Sequence, residues 1–159
     1  MSSISRCKRL MNMTFAKIIN MVPISGELRY RLIRYSGVKT LGKRGFIGKN
    51  VSFDSIRPDL IEIEDGAYVT EACIVYTHYL IPDTFVTRKG SWFRFGRVVI
   101  KKNAFVGART IICNDVVVGE NAIVAAESVV TKDIPPYELW GGTPAKFIRK
   151  LQGGQQITG

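Results

Sequence analysis

The chain has 159 residues, 46% of them hydrophobic, and a formal net charge of +10. That length predicts one domain with room for a core. No run reads as a membrane span: the stretch around Ile18–Ile24 is broken by Asn20 and Pro23, which also argues against a signal peptide. Cys7, Cys73 and Cys113 show no C-x-x-C or zinc spacing, and an odd count without a pairing pattern fits reduced thiols in a cytoplasmic protein.

Residues 1–37 read as a basic helical cap. Leu10, Met13, Ile18 and Met21 within Ile4–Met21, and Leu28, Leu32 and Tyr35 within Leu28–Tyr35, have helix-compatible spacing. Pro23-Ile24-Ser25-Gly26 separates the two segments and Gly37 ends the second. Two short amphipathic helices are expected to cover the N-terminal end of the domain. The charge is concentrated here: residues 1–50 hold eleven Lys or Arg and one acid, Glu27, whereas residues 51–159 hold twelve of each sign. Such segregation serves either as a solubilising face or as attraction to something acidic, such as a phospholipid surface, a lipid-linked sugar or a nucleic acid. No recognition motif supports nucleic acid, which is therefore not expected as a partner.

From residue 38 to 136 the period changes. Ile100, Val106, Ile112, Val118, Val124 and Val130 recur at every sixth position. The residue after each is mostly small (Gly107, Cys113, Gly119, Ala125, Thr131), and the fourth after each is small or β-branched (Ala104, Thr110, Val116, Ala122, Ser128, Ile134). A period of six is neither helical nor simply alternating; it is the hexapeptide repeat of a parallel β-helix, an all-β solenoid whose recurrent aliphatic points inward. Ile47 and Val51 belong to the first coil, and Ile63, Val69 and Val75 come next in a register shifted by extra residues around Arg57-Pro58-Asp59. About four to five coils of roughly 18 residues are expected. The stretch 79–97 breaks the pattern and reads as an excursion loop. Pro135-Pro136 reads as the end of the ladder. Residues 137–159 read as a C-terminal cap with a frayed tail from Gln152.

His78 is the only histidine. A lone histidine is more often an ordinary surface residue than a catalyst, but this one stands where the coil wall meets the excursion, a natural place for a cleft. Histidine is also the side chain that exchanges a proton near neutral pH. Cys73 and Cys113 occupy positions that favour small residues and read as core or corner residues.

The chain resembles the hexapeptide-repeat acyltransferases, which use acetyl-CoA and include galactoside, maltose and serine acetyltransferases and O-acetyltransferases of surface-polysaccharide clusters. Four passages carry the resemblance: Ile74-Val75-Tyr76-Thr77-His78, Lys102 to Ala108, Ser128 to Pro136, and Gly141 to Arg149. The resemblance, not the period, implies a left-handed coil. It implies His78 as general base for an acceptor hydroxyl, with direct transfer and no acyl-enzyme, so that a cysteine nucleophile is not expected. It places pantetheine contacts on the backbones of Ala108 and Ala126, with Phe105, Gly107 and Ala125 alongside. Thr131 and Lys132 fall near the far end of acetyl-CoA, and Lys146 and Arg149 on its phosphates; a solvated basic cap would explain the last two equally simply. Asp54 is the nearest match to a second polar residue of galactoside-type enzymes, although the Pro58 insertion disturbs that alignment and a turn carboxylate is an equal reading. Glu127 is a departure, standing where glycine is common.

The function these residues imply is acetyl transfer from acetyl-CoA to a hydroxyl of a sugar, a surface polysaccharide or its precursor. The expected assembly is a homotrimer whose site draws on two subunits. The acceptor is a carbohydrate or lipid-linked glycan, and no metal is expected. The alternatives are N-acyl transfer to an amino sugar and a non-catalytic structural or assembly subunit. The expected location is cytoplasmic, at the inner membrane face if residues 1–50 dock there as a peripheral anchor.

Overall fold

The six-residue period is realised as two- and three-residue strands that change face at each repeat. The computed structural model describes residues 10–11, 14–20, 22–81 and 93–152. The start of the predicted helix Ile4–Met21, Cys7, the middle of the excursion and the tail after Gln152 lie outside these residues.

The first coil consists of β1 (Lys39–Thr40), β2 (Phe46–Ile47) and β3 (Ser52–Phe53), and the second of β4 (Ile61–Ile63), β5 (Tyr68–Val69) and β6 (Ile74–Val75). The hairpin β7 (His78–Leu80) with β8 (Phe93–Phe95) intervenes. The third coil is β9 (Val98–Ile100), β10 (Phe105–Val106) and β11 (Ile111–Ile112), and the fourth is β12 (Val116–Val118), β13 (Ile123–Val124) and β14 (Val129–Val130). Strands of equal rank stack in parallel into three sheets, β1-β4-β9-β12, β2-β5-β10-β13 and β3-β6-β11-β14. Val106 pairs with Val124 and Ile112 with Val130, so one uninterrupted coil advances the chain by 18 residues.

The predicted inward positions Ile47, Val69, Val75, Ile100, Val106, Ile112, Val118, Val124 and Val130 are all 0–1% exposed. Ala104, Thr110, Val116, Ala122, Ser128 and Ile134 are buried beside them. The small positions have a backbone reason. A Cβ on Gly107 would lie 2.5 Å from the Ala126 nitrogen, and one on Gly119 would lie 2.5 Å from the Pro136 nitrogen. The coils therefore stack too closely there for a side chain. Corner residues take left-handed backbone, which asparagine tolerates better than most: Asn50, Asn103 and Asn121 have φ of 57°, 55° and 54°.

Three expectations need correction. Pro135-Pro136 does not end the ladder. Ile134 bridges to Val118, and β15 (Glu138–Gly141) pairs in parallel with β13 before β16 (Lys146–Lys150) folds back antiparallel. The prolines fall at a corner, where the ladder needs no N–H donor. The excursion is not a structureless loop: its two arms pair, and His78 is its first strand residue. The N-terminal helices also bury a different face from the one predicted. Residues 14–20 are helical, and the second helix is Gly26–Leu32, capped by the Ser25 hydroxyl accepting from the Leu28 N–H, then Ile33–Ser36 as a 3₁₀ turn closed by Gly37 at φ 102°. Its buried residues are Gly26, Arg29, Tyr30 and Ile33, while Leu28 and Tyr35 are exposed.

The cause is the open end of the coil, which presents backbone carbonyls that need donors. Arg29 donates to the carbonyls of Ile47 (2.9 Å), Ile24 (3.2 Å) and Ile19 (3.4 Å). The Tyr30 hydroxyl lies within 3.0–3.3 Å of the carbonyls of Leu41, Ile63 and Glu64. Burial, together with the charge of Asp65, pushes the Tyr30 phenol up to about 12. Arg29, which composition would place among the surface cations, is thus a buried clamp between the cap and the first coil.

Candidate active site

The two long insertions into the 18-residue coil occur at the same corner. Phe53 pairs with Val75, so the segment beginning at Asp54 and the segment beginning at Tyr76 leave the coil one above the other. Asp54 is anchored by its own N–H to the Val75 carbonyl (2.9 Å). Its side chain turns into the corner and accepts from the N–H groups of Ile56 (2.7 Å) and Thr77 (2.9 Å). The chain then turns at Thr77, whose carbonyl accepts from the Gly96 N–H at the neck of the hairpin (2.8 Å).

This turn delivers the His78 ring onto the carboxylate, with Nδ1 2.5 Å from Asp54 Oδ2. The Asp54 side chain is fully buried and that of His78 is 20% exposed. Burial pushes the Asp54 carboxyl up, but the bonds from Thr77, Ile56 and His78 outweigh it and hold the carboxyl below its ordinary range. An ionised Asp54 accepts a hydrogen bond from Nδ1–H, which selects the tautomer with an unprotonated Nε2. Phe93 and Phe95 close on the ring at 5.3 Å and 5.8 Å between centroids, and the Arg57 guanidinium lies 5.8 Å from the Phe95 centroid. The arrangement is a histidine fixed in orientation and tautomer, able to take a proton at Nε2.

A cavity of about 230 Å³ adjoins this corner, between the first helical segment and the first coil. Lys17, Asn20, Ser36, Ser52, Asp54 and Ser55 are among its lining residues, a wall rich in hydrogen-bonding groups.

The other predicted site residues are not gathered at His78. The excursion corner joins the third sheet to the first, and Thr131 and Lys132 come after β14 at that same corner, both exposed. Ala108 and Ala126 lie at a different corner, between the second and third sheets. Phe105 is exposed on the second sheet and stacks on Tyr68, which stacks on Phe46 (6.3 Å and 5.6 Å). Gly107 and Ala125 come directly after β10 and β13 in that sheet; Gly107 is buried and Ala125 half-buried, and both serve coil packing. Lys146 and Arg149 stand on β16, all five residues of which are exposed. Lys132 Nζ lies 5.0 Å from the Trp140 ring centroid. Glu127 forms an ion pair with Arg109 one coil below, so its charge has a partner within the wall. Cys73 and Cys113 are free thiols, both pushed up by burial; Cys73 is in the core and Cys113 half-buried. Among the described residues, no group of three or more His, Cys, Asp or Glu side chains could hold a metal ion.

Sequence reasoning missed Thr77, Phe93, Phe95 and Arg57 as supports of the histidine. One signal was available for the corner itself: Asp54 and His78 come after the same inward position, Phe53 and Val75, on consecutive coils.

A family model described as bacterial transferase hexapeptide (six repeats) matches residues 97–132. The chain is 38% identical over 120 residues to Protein CapG of Staphylococcus aureus, an alignment spanning 76% of this chain and 70% of that protein. A solved hexapeptide-repeat acetyltransferase, VCA0836 of Vibrio cholerae O1 biovar eltor, complexed with acetyl coenzyme A, has a TM-score of 0.75 at 24% identity, covering 96% of this chain and 91% of that one. A maltose O-acetyltransferase from Clostridium difficile 630 has a TM-score of 0.71 at 23% identity, covering 95% and 90%. The two structural likenesses concern the fold, and the identity to CapG extends over most of both chains. The chain belongs to the family of bacterial hexapeptide-repeat transferases.

Proposed function

We propose that the protein is an acetyl-CoA-dependent O-acetyltransferase acting on a sugar hydroxyl, with His78 as general base and Asp54 as its positioning residue. The observation that carries this reading is the Asp54–His78 pair, a partly exposed imidazole held at 2.5 Å by a buried carboxylate. Nε2 takes the proton of the acceptor hydroxyl, and the ionised Asp54 stabilises the imidazolium that forms. The cavity beside the corner mixes apolar walls with Lys17, Asn20, Ser52 and Ser55, groups able to hydrogen-bond an acceptor's hydroxyls.

Acetyl-CoA, when bound, supplies the activated acetyl group. The residues present suit it: Lys132, Lys146 and Arg149 are exposed cations fit for phosphates, and Ala126 is exposed on the coil wall. Ala126 lies at another corner of the coil than His78, and Lys146 and Arg149 lie on the last strand, which supports a site completed by a second subunit of a homotrimer. A left-handed coil, a carbohydrate or lipid-linked glycan acceptor and a cytoplasmic location complete the reading.

The test is acetyl transfer to a panel of sugars, maltose and galactosides included, by wild type, His78→Ala and His78→Asn. Loss of a general base lowers the rate by about 10²–10⁴, while circular dichroism and thermal stabilisation by acetyl-CoA remain near wild type. Near-normal transfer by His78→Ala overturns the assignment. A product labile to hydroxylamine identifies an ester, whereas a stable amide moves the reading to N-acyl transfer. Light scattering that gives a monomer removes the shared site.

A further inference from the structure

The N-terminal cap turns an apolar face away from the coil. Met11, Phe15 and Ile18 recur at i, i+4 and i+7, and so do Leu28, Leu32 and Tyr35. With Arg29, Tyr30 and Ile33 holding the cap to the coil, these two stripes face outward: Met11 is 64% exposed, Ile18 52%, Leu28 42% and Tyr35 63%. They lie side by side. The Phe15 and Tyr35 rings meet edge to face at 5.9 Å, and Met11, Phe15, Leu32 and Tyr35 line an open groove of about 500 Å³. An apolar strip on two adjoining helical segments is more than scattered surface hydrophobicity.

The charge around the strip selects its occupant. Arg31 and Arg34 are exposed beside the second stripe, within a segment of eleven cations and one acid. A second copy of this face would bring like charges together, whereas an anionic surface would be attracted. An apolar stripe flanked by cations is the pattern of a segment lying in a lipid interface. We propose that this face docks the protein on an anionic phospholipid surface, with Ile18, Leu28 and Tyr35 entering the headgroup boundary and Arg31 and Arg34 meeting the phosphates. The inference stands on the cap alone and is independent of the acetyl-transfer reading.

Co-sedimentation of the full chain tests it, with phosphatidylcholine vesicles and with phosphatidylcholine–phosphatidylglycerol vesicles. The protein is expected to pellet only with the anionic vesicles and to be released by salt. Arg31→Gln and Arg34→Gln should each weaken binding roughly fivefold. Ile18→Gln with Leu28→Gln should weaken it by about tenfold or more, with circular dichroism unchanged because both positions are exposed. Protein left in the supernatant with anionic vesicles at low salt overturns the proposal. So does binding indifferent to the Ile18 and Leu28 changes, which would be charge attraction without docking. Self-association abolished by those same changes, without vesicle binding, would assign the face to a second copy instead.

Discussion

From Val98 to Val130 the coil obeys its period without interruption, and its side chains are used for packing. At the corner after β3 and β6 the period breaks twice, and there a buried carboxylate, the single histidine and a hairpin of phenylalanines come together. The contrast comes from geometry. A regular coil offers each outward side chain only its counterparts one coil above and below, so it makes ladders such as Asn103–Asn121. An insertion lets the chain leave the wall and return a side chain from a direction that the ladder forbids. His78 reaches Asp54 in that way, although the strands flanking them are in plain parallel register.

The contrast can be broken first at the inserted corner. Asp54→Asn keeps the shape of the side chain and removes the charge that selects the His78 tautomer. Acetyl transfer should fall by about 10²–10⁴ while circular dichroism shows the coil still folded. Because Asp54 acts through the imidazole, the pH profile of kcat should change as well, which a purely structural role would not produce. A rate within a few-fold of wild type would show that the ring is held by its phenylalanines alone.

The regular wall should respond in the opposite sense. Ile112 is fully buried between Val75 and Val130. Ile112→Ala should cost about 2–5 kcal/mol of stability in denaturant unfolding. Leu80, on the exposed arm of the hairpin, should cost no more than about 0.5 kcal/mol as Leu80→Ala. Equal losses would mean that the hairpin is packed as firmly as the coil.

The smallest effect is in the acid and alkaline limbs of stability. Asp54 is held below its ordinary range, so its contribution is present above about pH 4, the unfolded value, and is lost as pH falls through the lower folded value. Asp54→Asn should flatten that limb. Tyr30, raised to about 12, contributes below about pH 10 and loses that contribution as pH rises toward its folded value. Tyr30→Phe should remove that alkaline dependence, and pH-dependent melting curves of the two variants read both limbs.

The inward register was legible from residue order because a six-residue period is a local property: once Val106 and Val124 face inward, the intervening aliphatics have nowhere else to go. His78 was legible for the same reason, as the last residue before the pattern fails. Asp54 came from the family resemblance as a candidate beside it, but residue order alone does not bring the two together. The two are separated by inserted residues that linear alignment cannot level, and only the stacking of Phe53 on Val75 does so. The cap was misread on one face because helical spacing marks apolar residues and says nothing of the carbonyls at an open coil end. Those carbonyls drew in Arg29 and Tyr30 and left Leu28 and Tyr35 outside. Periodicity reports what each residue does relative to its neighbours in the chain; which distant backbone groups still need a donor is settled when the ends and corners of the coil come together.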